Sequence, residues 1–230
     1  MAEQASSNAP KAEGDAFLPA LRFRVLTPLF DAVVRTTMRE ETFKRSLIGQ
    51  AMLQPGQTVL DLGCGTGTLA LMAKQAQPRC DVIGVDADPE ILEIARRKAQ
   101  AEDTAVTFDA SVSTELPYED ASVDRVLSTL FFHHLTPPDK RQTLREIRRV
   151  LRPGGELHVA DFTVASDPLQ RLLSWQVRLF DGRERTEENF TGELPRVIAD
   201  AGLGAIAERR RLRTGMGTLA LFSTPPIPKG

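Results

Sequence analysis

The sequence predicts an α/β fold in which a mostly parallel sheet of seven strands carries helices on both faces. The strongest observation is a buried strand, Thr58–Leu62, that leads directly into a glycine-rich turn and then into a helix. Short apolar runs and longer helical segments then alternate through residue 160, which is typical of parallel strands joined by crossover helices. The last two apolar runs are separated only by Thr214-Gly215-Met216, which indicates a hairpin and an antiparallel last strand.

Each element follows from its apolar pattern and from the turn residues at its ends. The predicted strands are Thr58–Leu62, Asp81–Val85, Ala105–Phe108, Val123–Leu130, Glu156–Ala160, Ala205–Arg213 and Gly217–Thr224. The predicted helices are Glu41–Met52, a helix from the glycine turn to about Gln77, Glu90–Ala101, Pro137–Val150, Asp167–Phe180 and Glu193–Ala201. Asp88-Pro89 supplies an N-cap and a first-turn proline. Leu151–Gly155 is predicted as a turn, and Asp181–Thr191 as irregular.

The N-terminal region divides into two parts ahead of the main domain. Residues 1–16 are small and polar, which predicts a disordered tail with no signal-peptide core. Residues 17–52 predict an N-terminal helical cap, because apolar residues recur near helical spacing despite Pro19 and Pro28. Arginines between them leave two interpretations open: a helix packed on the sheet or over the cofactor, and a lid over the substrate that can touch a membrane surface. Residues 53–230 form the main domain.

Composition excludes several functional classes. The net charge is −2, and the basic run at 209–213 has no interleaved aromatic residues, so no nucleic-acid partner is expected. Two cysteines, Cys64 and Cys80, make no disulfide framework, and no Cys/His set has metal-ligand spacing. No run approaches about 18 apolar residues. We therefore expect a cytoplasmic protein without a metal, either a monomer or a homodimer, whose membrane contact, if any, is peripheral.

Two acidic residues flank the glycine turn and indicate the ligand. A dinucleotide site favours G-x-G-x-x-G, but this turn reads G-x-G-x-G from Gly63 to Gly67. Asp61 comes directly before the turn, where a carboxylate repels phosphate and attracts a cation. Asp86 ends the second strand, where a carboxylate can accept hydrogen bonds from both ribose hydroxyls. The sequence thus predicts a ligand with a ribose, a cationic group and no phosphate.

These two motifs resemble those of the class I S-adenosylmethionine (SAM) dependent methyltransferases, and the Glu115–Tyr118 segment resembles their ubiquinone/menaquinone-type members. The resemblance implies a Rossmann-like sheet, SAM as cofactor and S-adenosylhomocysteine as product. The implied cofactor-binding residues are Asp61, Gly63, Cys64, Gly65, Gly67, Asp86, Ala87, Val112, Ser113 and Thr129. Val112 stands where the family has an adenine-binding Asp. Either Asp109 or a serine supplies that acceptor, or backbone and apolar contacts hold the adenine.

The resemblance also places the acceptor at the carboxyl ends of strands four and five, next to an insertion at about 166–192. His133 and Asp161 are the catalytic candidates, His133 as a general base and Asp161 as the group that fixes its tautomer. A structural histidine and a capping aspartate are the alternatives. The predicted substrate-binding residues are Phe132, Trp175, Phe180 and Arg183, with ordinary core packing or solvation as the alternative.

The resulting hypothesis is a methyltransferase that acts on a small, partly apolar acceptor, either a quinone precursor or another aromatic natural product. Two alternatives remain: a phospholipid amine N-methyltransferase, and a non-catalytic SAM-binding interaction protein. Displacement at a sulfonium needs mainly in-line positioning, so an enzyme of this kind does not require a catalytic dyad.

Overall fold

A computed structural model describes residues 39–228 of the chain. The helices are α1 (Glu40–Ala51), α2 (Thr68–Ala76), α3 (Pro89–Ala101), α4 (Pro137–Val150), α5 (Pro168–Asp181), α6 (Arg183–Phe190) and α7 (Leu194–Ile198). The strands are β1 (Thr58–Leu62), β2 (Asp81–Asp86), β3 (Thr107–Ala110), β4 (Val123–Thr129), β5 (Leu151–Phe162), β6 (Ala207–Thr214) and β7 (Gly217–Ser223). Single turns of 3₁₀ and π helix occupy Phe132–His134 and Ala199–Leu203.

All seven strands form one sheet in the order β3-β2-β1-β4-β5-β7-β6. Strands β1 to β5 are parallel, whereas β7 pairs antiparallel with both β5 and β6. The strand order reverses beside β1, between β1 and β4, and in parallel α/β sheets ligands bind at the carboxyl ends of strands at such a point. The predicted fold class is therefore confirmed, including the antiparallel last strand.

Two hydrophobic clusters cover the two faces of the sheet. One contains Phe43 and Leu47 of α1 together with Leu69 of α2 and Leu92 of α3. The other is centred on α4 and α7 and contains Leu144 and other buried aliphatic residues. Helices on both faces bury the central strands completely, which explains why those strands read as continuous apolar runs.

Side-chain caps begin three of the helices as the sequence indicates. Asp88 accepts hydrogen bonds from the backbone N–H groups of the first turn of α3. Thr136 and Asp167 cap α4 and α5 in the same way. Each of these helices also has proline in its first turn, where no intrahelical donor is lost.

Three predicted elements are corrected. The third strand lies at Thr107–Ala110 rather than Ala105–Phe108. Leu151–Gly155 belongs to β5, because Leu151 pairs with Val123. The pairing of β4 with β5 shifts its register between Val123 and Arg125. Residues 183–190, predicted as irregular, form α6. The polar sequence of this segment does not indicate a helix. Tertiary contacts bury Thr186 and Asn189 on its inward side.

The tail at 1–16 and most of the cap at 17–52 lie outside the described residues; α1 is the part of the cap that is described. Its bounds agree with the predicted Glu41–Met52 to within one residue. Within residues 39–228, no helix is both long and apolar enough to cross a membrane.

Candidate active site

The glycine turn between β1 and α2 forms a backbone cradle at the carboxyl edge of the sheet. Gly63, Gly65 and Gly67 have φ values of +69°, +53° and +74°, which residues with a side chain rarely adopt. A Cβ on Gly63 would lie 2.2 Å from the Phe131 ring, and one on Gly67 would lie 2.8 Å from the Phe108 ring. At Gly65 the nearest atom would be 3.9 Å away. Gly65 therefore presents open backbone to a ligand, whereas the other two glycines are required for packing.

Cys64, in the middle of the turn, is a buried member of the core. Its backbone N–H donates to the Val85 carbonyl at 3.0 Å, which anchors the turn to β2. Burial, together with the nearby carboxylates of Asp61 and Asp86, raises the pKa of the Cys64 thiol. The side chain is thus an inert packing group.

Asp86, at the end of β2, holds the turn in place. One carboxylate oxygen accepts from the Gly65 N–H at 2.9 Å, and the other accepts from the Asp88 N–H at 3.1 Å. Each oxygen keeps a second acceptor position, so the side chain remains able to receive ribose hydroxyls. Ala87 follows directly and is half-buried.

Asp61 is a fully buried carboxylate below the turn. It is 1% exposed, and neither oxygen makes a hydrogen bond of normal geometry with the described residues. Burial raises the pKa of Asp61 to about 7, with Lys44 opposing the rise and Asp86 adding to it. An unsatisfied buried carboxylate is costly. A ligand ammonium beside it would remove that cost, so the residue fits the cationic end of SAM.

The loop after β3 contains the predicted adenine-side residues. The Val112 side chain is 49% exposed. Ser113 shares a hydrogen bond with Thr143 of α4 at 2.8 Å. Asp109 lies on β3 and accepts from the Tyr118 hydroxyl at 3.0 Å. Ser113 and Asp109 each have one partner and keep further acceptor positions, so the identity of the adenine acceptor stays open between them and backbone contacts.

A strained turn directs the chain from β4 towards β5. Thr129 ends β4 and is half-buried. Leu130 has a φ of +52°, a left-handed conformation that costs roughly 1–2 kcal/mol for a residue with a side chain. Its N–H donates to the Ala160 carbonyl at 2.9 Å, which holds the turn against β5. The two histidines that follow therefore meet the carboxyl end of β5.

His133 and Asp161 form a buried dyad at this edge. The Nδ1 atom of His133 lies 2.7 Å from Asp161 Oδ1, which also accepts from the Phe162 N–H. Burial lowers the pKa of His133, and His134 lowers it further, against the attraction of Asp161 and Asp181. Burial alone would raise the pKa of Asp161, but His133 and the Phe162 N–H lower it. An anionic Asp161 keeps the proton on Nδ1 and leaves Nε2 as the basic atom.

His134 and Asp181 form a second, more open pair beside the dyad. His134 is half exposed, and its Nδ1 lies 2.9 Å from Asp181 Oδ1. The other oxygen of Asp181 is 3.9 Å from His133 Nε2. One nitrogen from each histidine and one carboxylate oxygen lie within 4.8 Å of each other, a spacing that would also accommodate a cation. No sequence pattern predicts this group, because Asp181 lies 47 residues after His134 in the chain.

Aromatic rings line one side of the dyad. His133 packs edge-on against Phe162 with centroids 4.9 Å apart, and Phe162 stacks with Phe190 of α6 at 5.4 Å. The Arg178 guanidinium lies 5.6 Å from the centre of the Phe190 ring. Phe162 was not predicted, since it reads as an ordinary strand residue.

The four predicted substrate-binding residues are either buried in the core or exposed on α5 and α6. Phe132 is fully buried in the cluster next to α4, where it packs in the core, and its contact with substrate stays a prediction. Trp175 and Phe180 lie on the outer side of α5 and are 65% and 69% exposed. The Arg183 side chain is also exposed and pairs with Glu187. Their contact with substrate therefore stays a prediction.

Lys44 is a further residue that the sequence did not single out. It is buried on α1, and its Nζ lies 2.5 Å from Glu40 Oε1. Its positive charge acts on Asp61 from across the sheet edge. The only available signal was its position among apolar helix residues, which is not specific.

Comparison with known proteins agrees with this geometry. Residues 59–155 match the family model described as a methyltransferase domain. The chain is 32% identical over 142 residues to demethylmenaquinone methyltransferase of Deinococcus radiodurans, covering 61% of this chain and 58% of that protein. It is 35% identical over 136 residues to 27-O-demethylrifamycin SV methyltransferase of Amycolatopsis mediterranei, covering 57% and 49%. The chain thus spans about half to three-fifths of the length of these curated relatives.

The fold is shared with solved structures at lower identity. The crystal structure of the YcgJ protein from Bacillus subtilis superposes with a TM-score of 0.63 at 22% identity. The superposition covers 81% of this chain and 98% of that one. The predicted Rossmann-like architecture is confirmed by this likeness.

Proposed function

We propose that this chain, whose residues 59–155 match a family model described as a methyltransferase domain, methylates a small acceptor that must lose a proton. The match supports the resemblance to the class I SAM-dependent methyltransferases, and SAM is the cofactor that this resemblance implies. The observation that carries the proposal is the His133–Asp161 dyad. It lies at the same sheet edge as the glycine turn.

The residues of the cofactor side fit SAM. Bound SAM would supply an electrophilic methyl group on a sulfonium, so no protein nucleophile is needed. Asp61 would receive the ammonium, because its buried carboxylate has no other normal hydrogen-bond partner among the described residues. Asp86 would receive the ribose hydroxyls while it holds Gly65 in place. Gly65 would let the ligand lie against bare backbone.

His133 would act as the general base towards the acceptor. Its lowered pKa keeps the imidazole neutral at pH 7, and Asp161 holds the Nδ1 proton so that Nε2 faces the site. An acceptor hydroxyl or an acidic ring carbon would give its proton to Nε2 as the methyl group is transferred. A base of this kind contributes typically 10²–10⁴-fold in rate.

The surroundings of the dyad favour a partly apolar acceptor. Phe162 and Phe190 form a stacked pair next to His133, and Arg178 lies against the outer ring. Such a wall suits an aromatic or polyketide-like hydroxyl compound better than a small ionic one. A quinone precursor or another aromatic natural product therefore stays the preferred acceptor. Two relatives, named for demethylmenaquinone and demethylrifamycin, support this class.

The test is methyl transfer from labelled SAM to a panel of phenols, hydroquinones and aliphatic alcohols, with phosphatidylethanolamine vesicles as a separate arm. Product from the phenolic arm that falls at least about 100-fold in His133→Ala would support the proposal. Transfer to the vesicle amine alone would assign the phospholipid alternative. SAM binding without transfer in any arm would assign the non-catalytic alternative.

A further inference from the structure

Lys140 is a buried cation that the stability of the fold does not explain. Its side chain is completely buried, although the loss of water disfavours an ammonium ion. It also lies in the first turn of α4, where the helix dipole is unfavourable to a positive charge. Burial lowers the pKa of Lys140, whereas the carboxylates of Glu188 and Asp161 oppose that effect. A charge kept in so unfavourable a place is a candidate for a functional role.

Helix α6 supplies two partners for this ammonium. The Nζ atom of Lys140 donates to the Arg185 carbonyl at 2.6 Å and lies 3.5 Å from Glu188 Oε2. Glu188 is itself buried, and its other oxygen accepts from the Arg141 guanidinium at 2.7 Å. Two cations therefore share one carboxylate, which leaves one positive charge of this group unbalanced.

Asp161, the carboxylate of the dyad, carries a negative charge that balances it. Asp161 is completely buried, and its Oδ1 accepts from the Phe162 N–H and lies beside His133 Nδ1. Its Oδ2 has no hydrogen-bond partner among residues 39–228. A buried carboxylate beside a neutral imidazole is costly as an anion unless a positive charge lies near it. The ammonium of Lys140 supplies that charge, since the two groups attract each other within the interior.

Hydrogen bonds also connect Lys140 to the turn that carries His133. The Lys140 N–H donates to the Thr136 carbonyl at 2.9 Å, close after that turn in the chain. Arg185, whose carbonyl accepts from Lys140, donates through its guanidinium to the His134 carbonyl at 3.2 Å. The buried ammonium is thus held in a fixed place beside the dyad by α4, α6 and the turn between β4 and α4.

We propose that Lys140 is a positioning residue for the His133–Asp161 dyad, and that its buried ammonium keeps Asp161 anionic so that the proton of His133 stays on Nδ1. The proposal rests on the proposed function only where it calls His133 the base. A merely structural contact between α4 and α6 would act through shape, whereas the proposed role acts through charge. Removal of the positive charge of Lys140 and of the negative charge of Glu188 should therefore affect the dyad with opposite signs.

The pH at which the dyad takes up a proton measures this role. Charged groups surround His133 from each element packed against it: His134 on its own turn, Asp161 on β5, Asp181 on α5, Lys140 on α4, and Arg185 and Glu188 on α6. Loss of a nearby positive charge favours proton uptake, so Lys140→Met should raise the midpoint by at least about half a pH unit. Glu188→Gln should lower the midpoint, because a negative charge is lost.

The experiment follows the imidazole nitrogen signals of the ¹⁵N-labelled full chain by NMR as the pH is varied, and the His133→Ala variant identifies the signals of His133. Arg141→Met is the matched control. Its guanidinium also pairs with Glu188, but the side chain is 49% exposed, so water screens its charge and the midpoint should move by less than about 0.2 pH unit. His158, three residues before Asp161 on β5, is the internal reference and should titrate alike in all the proteins.

A raised midpoint in Lys140→Met together with a lowered one in Glu188→Gln would support the proposal. An unchanged or lowered midpoint in Lys140→Met, or an unchanged or raised one in Glu188→Gln, would overturn it and leave Lys140 a structural residue. Circular dichroism melting checks folding, and Glu188→Gln decides the sign alone if Lys140→Met does not fold.

Kinetics separate this proposal from the proposed function. The acidic limb of the pH dependence of kcat should move with the NMR midpoint of each variant, while the Kd for SAM stays within about twofold. A limb that stays in place while the midpoint moves would keep the role of Lys140 and remove His133 as the base. A limb and a midpoint that both stay in place in Lys140→Met would overturn the role of Lys140 and leave the base assignment intact.

Discussion

The proposed cofactor side and the proposed acceptor side of the sheet edge are built in different ways. On the cofactor side, Asp61 and the glycine turn are nearly contiguous in the chain, and hydrogen bonds hold the turn to β2, which ends in Asp86. On the acceptor side, His133, Asp161 and Phe190 belong to three separate elements, and they meet because the turn after β4, the end of β5 and α6 pack together. The first site therefore depends mainly on one strand–turn–helix unit and its neighbouring strand, whereas the second depends on the packing of three elements.

The two sides also differ in their chemistry. The cofactor side holds a buried carboxylate without a normal hydrogen-bond partner among residues 39–228, which is a binding feature. The acceptor side holds a carboxylate whose charge is used to orient a histidine, which is a feature of proton transfer. Substitutions on the two sides should therefore divide between affinity for SAM and rate of transfer.

The largest expected effect is on the acceptor side. His133→Ala should lower kcat by roughly 10²–10⁴-fold, because the general base is lost, and should leave the Kd for SAM within about threefold. His133 has a lowered folded-state pKa, so the neutral, active form dominates above that pKa and activity falls as the pH drops through it. Burial, with His134 adding to its effect and Asp161 and Asp181 opposing it, lowers the pKa of His133 and so places this acidic limb below the ordinary histidine value.

A pH–rate profile with and without a chelator completes this test. The variant should have lost the acidic limb, and the chelator should leave wild-type activity unchanged. Wild-type kcat and an unchanged limb in His133→Ala would make the residue structural. Activity that is abolished by chelation and restored by a divalent cation would instead assign His133, His134 and Asp181 to a metal.

The second-largest effect is on stability, and it shows whether the packing around the glycine turn is rigid. Gly63→Ala should lower the free energy of unfolding by roughly 2–4 kcal/mol, because the positive φ and overpacking against Phe131 add. Gly56→Ala is the matched control: its φ of +81° is similar, but no atom lies within 4 Å of its Cβ position. It should therefore cost only the backbone part, about 1 kcal/mol. Denaturant unfolding of both variants measures the difference. Equal losses of unfolding free energy would show that the Phe131 ring moves aside.

The third effect is on the affinity for the cofactor. Asp86→Ala should weaken SAM binding at least tenfold, about 1.4 kcal/mol, because the ribose contact and the hydrogen bond to Gly65 are both lost. Asp81→Ala, at the exposed start of the same strand, should leave the Kd unchanged. Calorimetry that finds equal affinities for the two variants would remove the ribose assignment.

The smallest effect is the pH dependence of SAM binding. The pKa of Asp61 is raised to about 7 by burial, with Asp86 adding and Lys44 opposing, so a large fraction is protonated and neutral at pH 6. A bound ammonium would favour the anion, so binding releases a proton below pH 7 and tightens as the pH rises. Between pH 6 and 7.5 the Kd should fall about five- to tenfold. The Asp61→Asn variant should bind SAM weakly, with a Kd that does not change with pH. A Kd that still falls as the pH rises in that variant would assign the titration to another residue.

Much of the cofactor side was predictable from the sequence because its chemistry is local. Glycines at fixed spacing after a strand, an acidic residue before them and another at the end of the next strand determine the turn whatever surrounds it. The caps of α3 and the closing hairpin followed from equally local rules, and the structure reproduces them. The His133–Asp161 contact was also predicted, since both residues end neighbouring parallel strands.

The features that the sequence did not predict share a physical cause. Phe132, predicted to contact substrate because it lies at the carboxyl end of β4, has its ring buried in the core. Helix α6 was missed because its sequence is polar and its stability comes from burial against neighbouring elements. Asp181 joined the site through the packing of α5, which no spacing rule reveals.

The sequence by itself determined the fold class, the glycine turn and the pairing of His133 with Asp161 at the edge of the sheet where we expect the chemistry. Only the tertiary structure decided which further side chains meet that pair and which face of α5 is left outward. Local backbone geometry depends on a few neighbouring residues, whereas burial, pKa and side-chain contact depend on segments brought together by packing. For that reason the sequence predicts the glycine turn and the His133–Asp161 pair, but not the contacts that Asp181 and the Phe162–Phe190 stack make beside them.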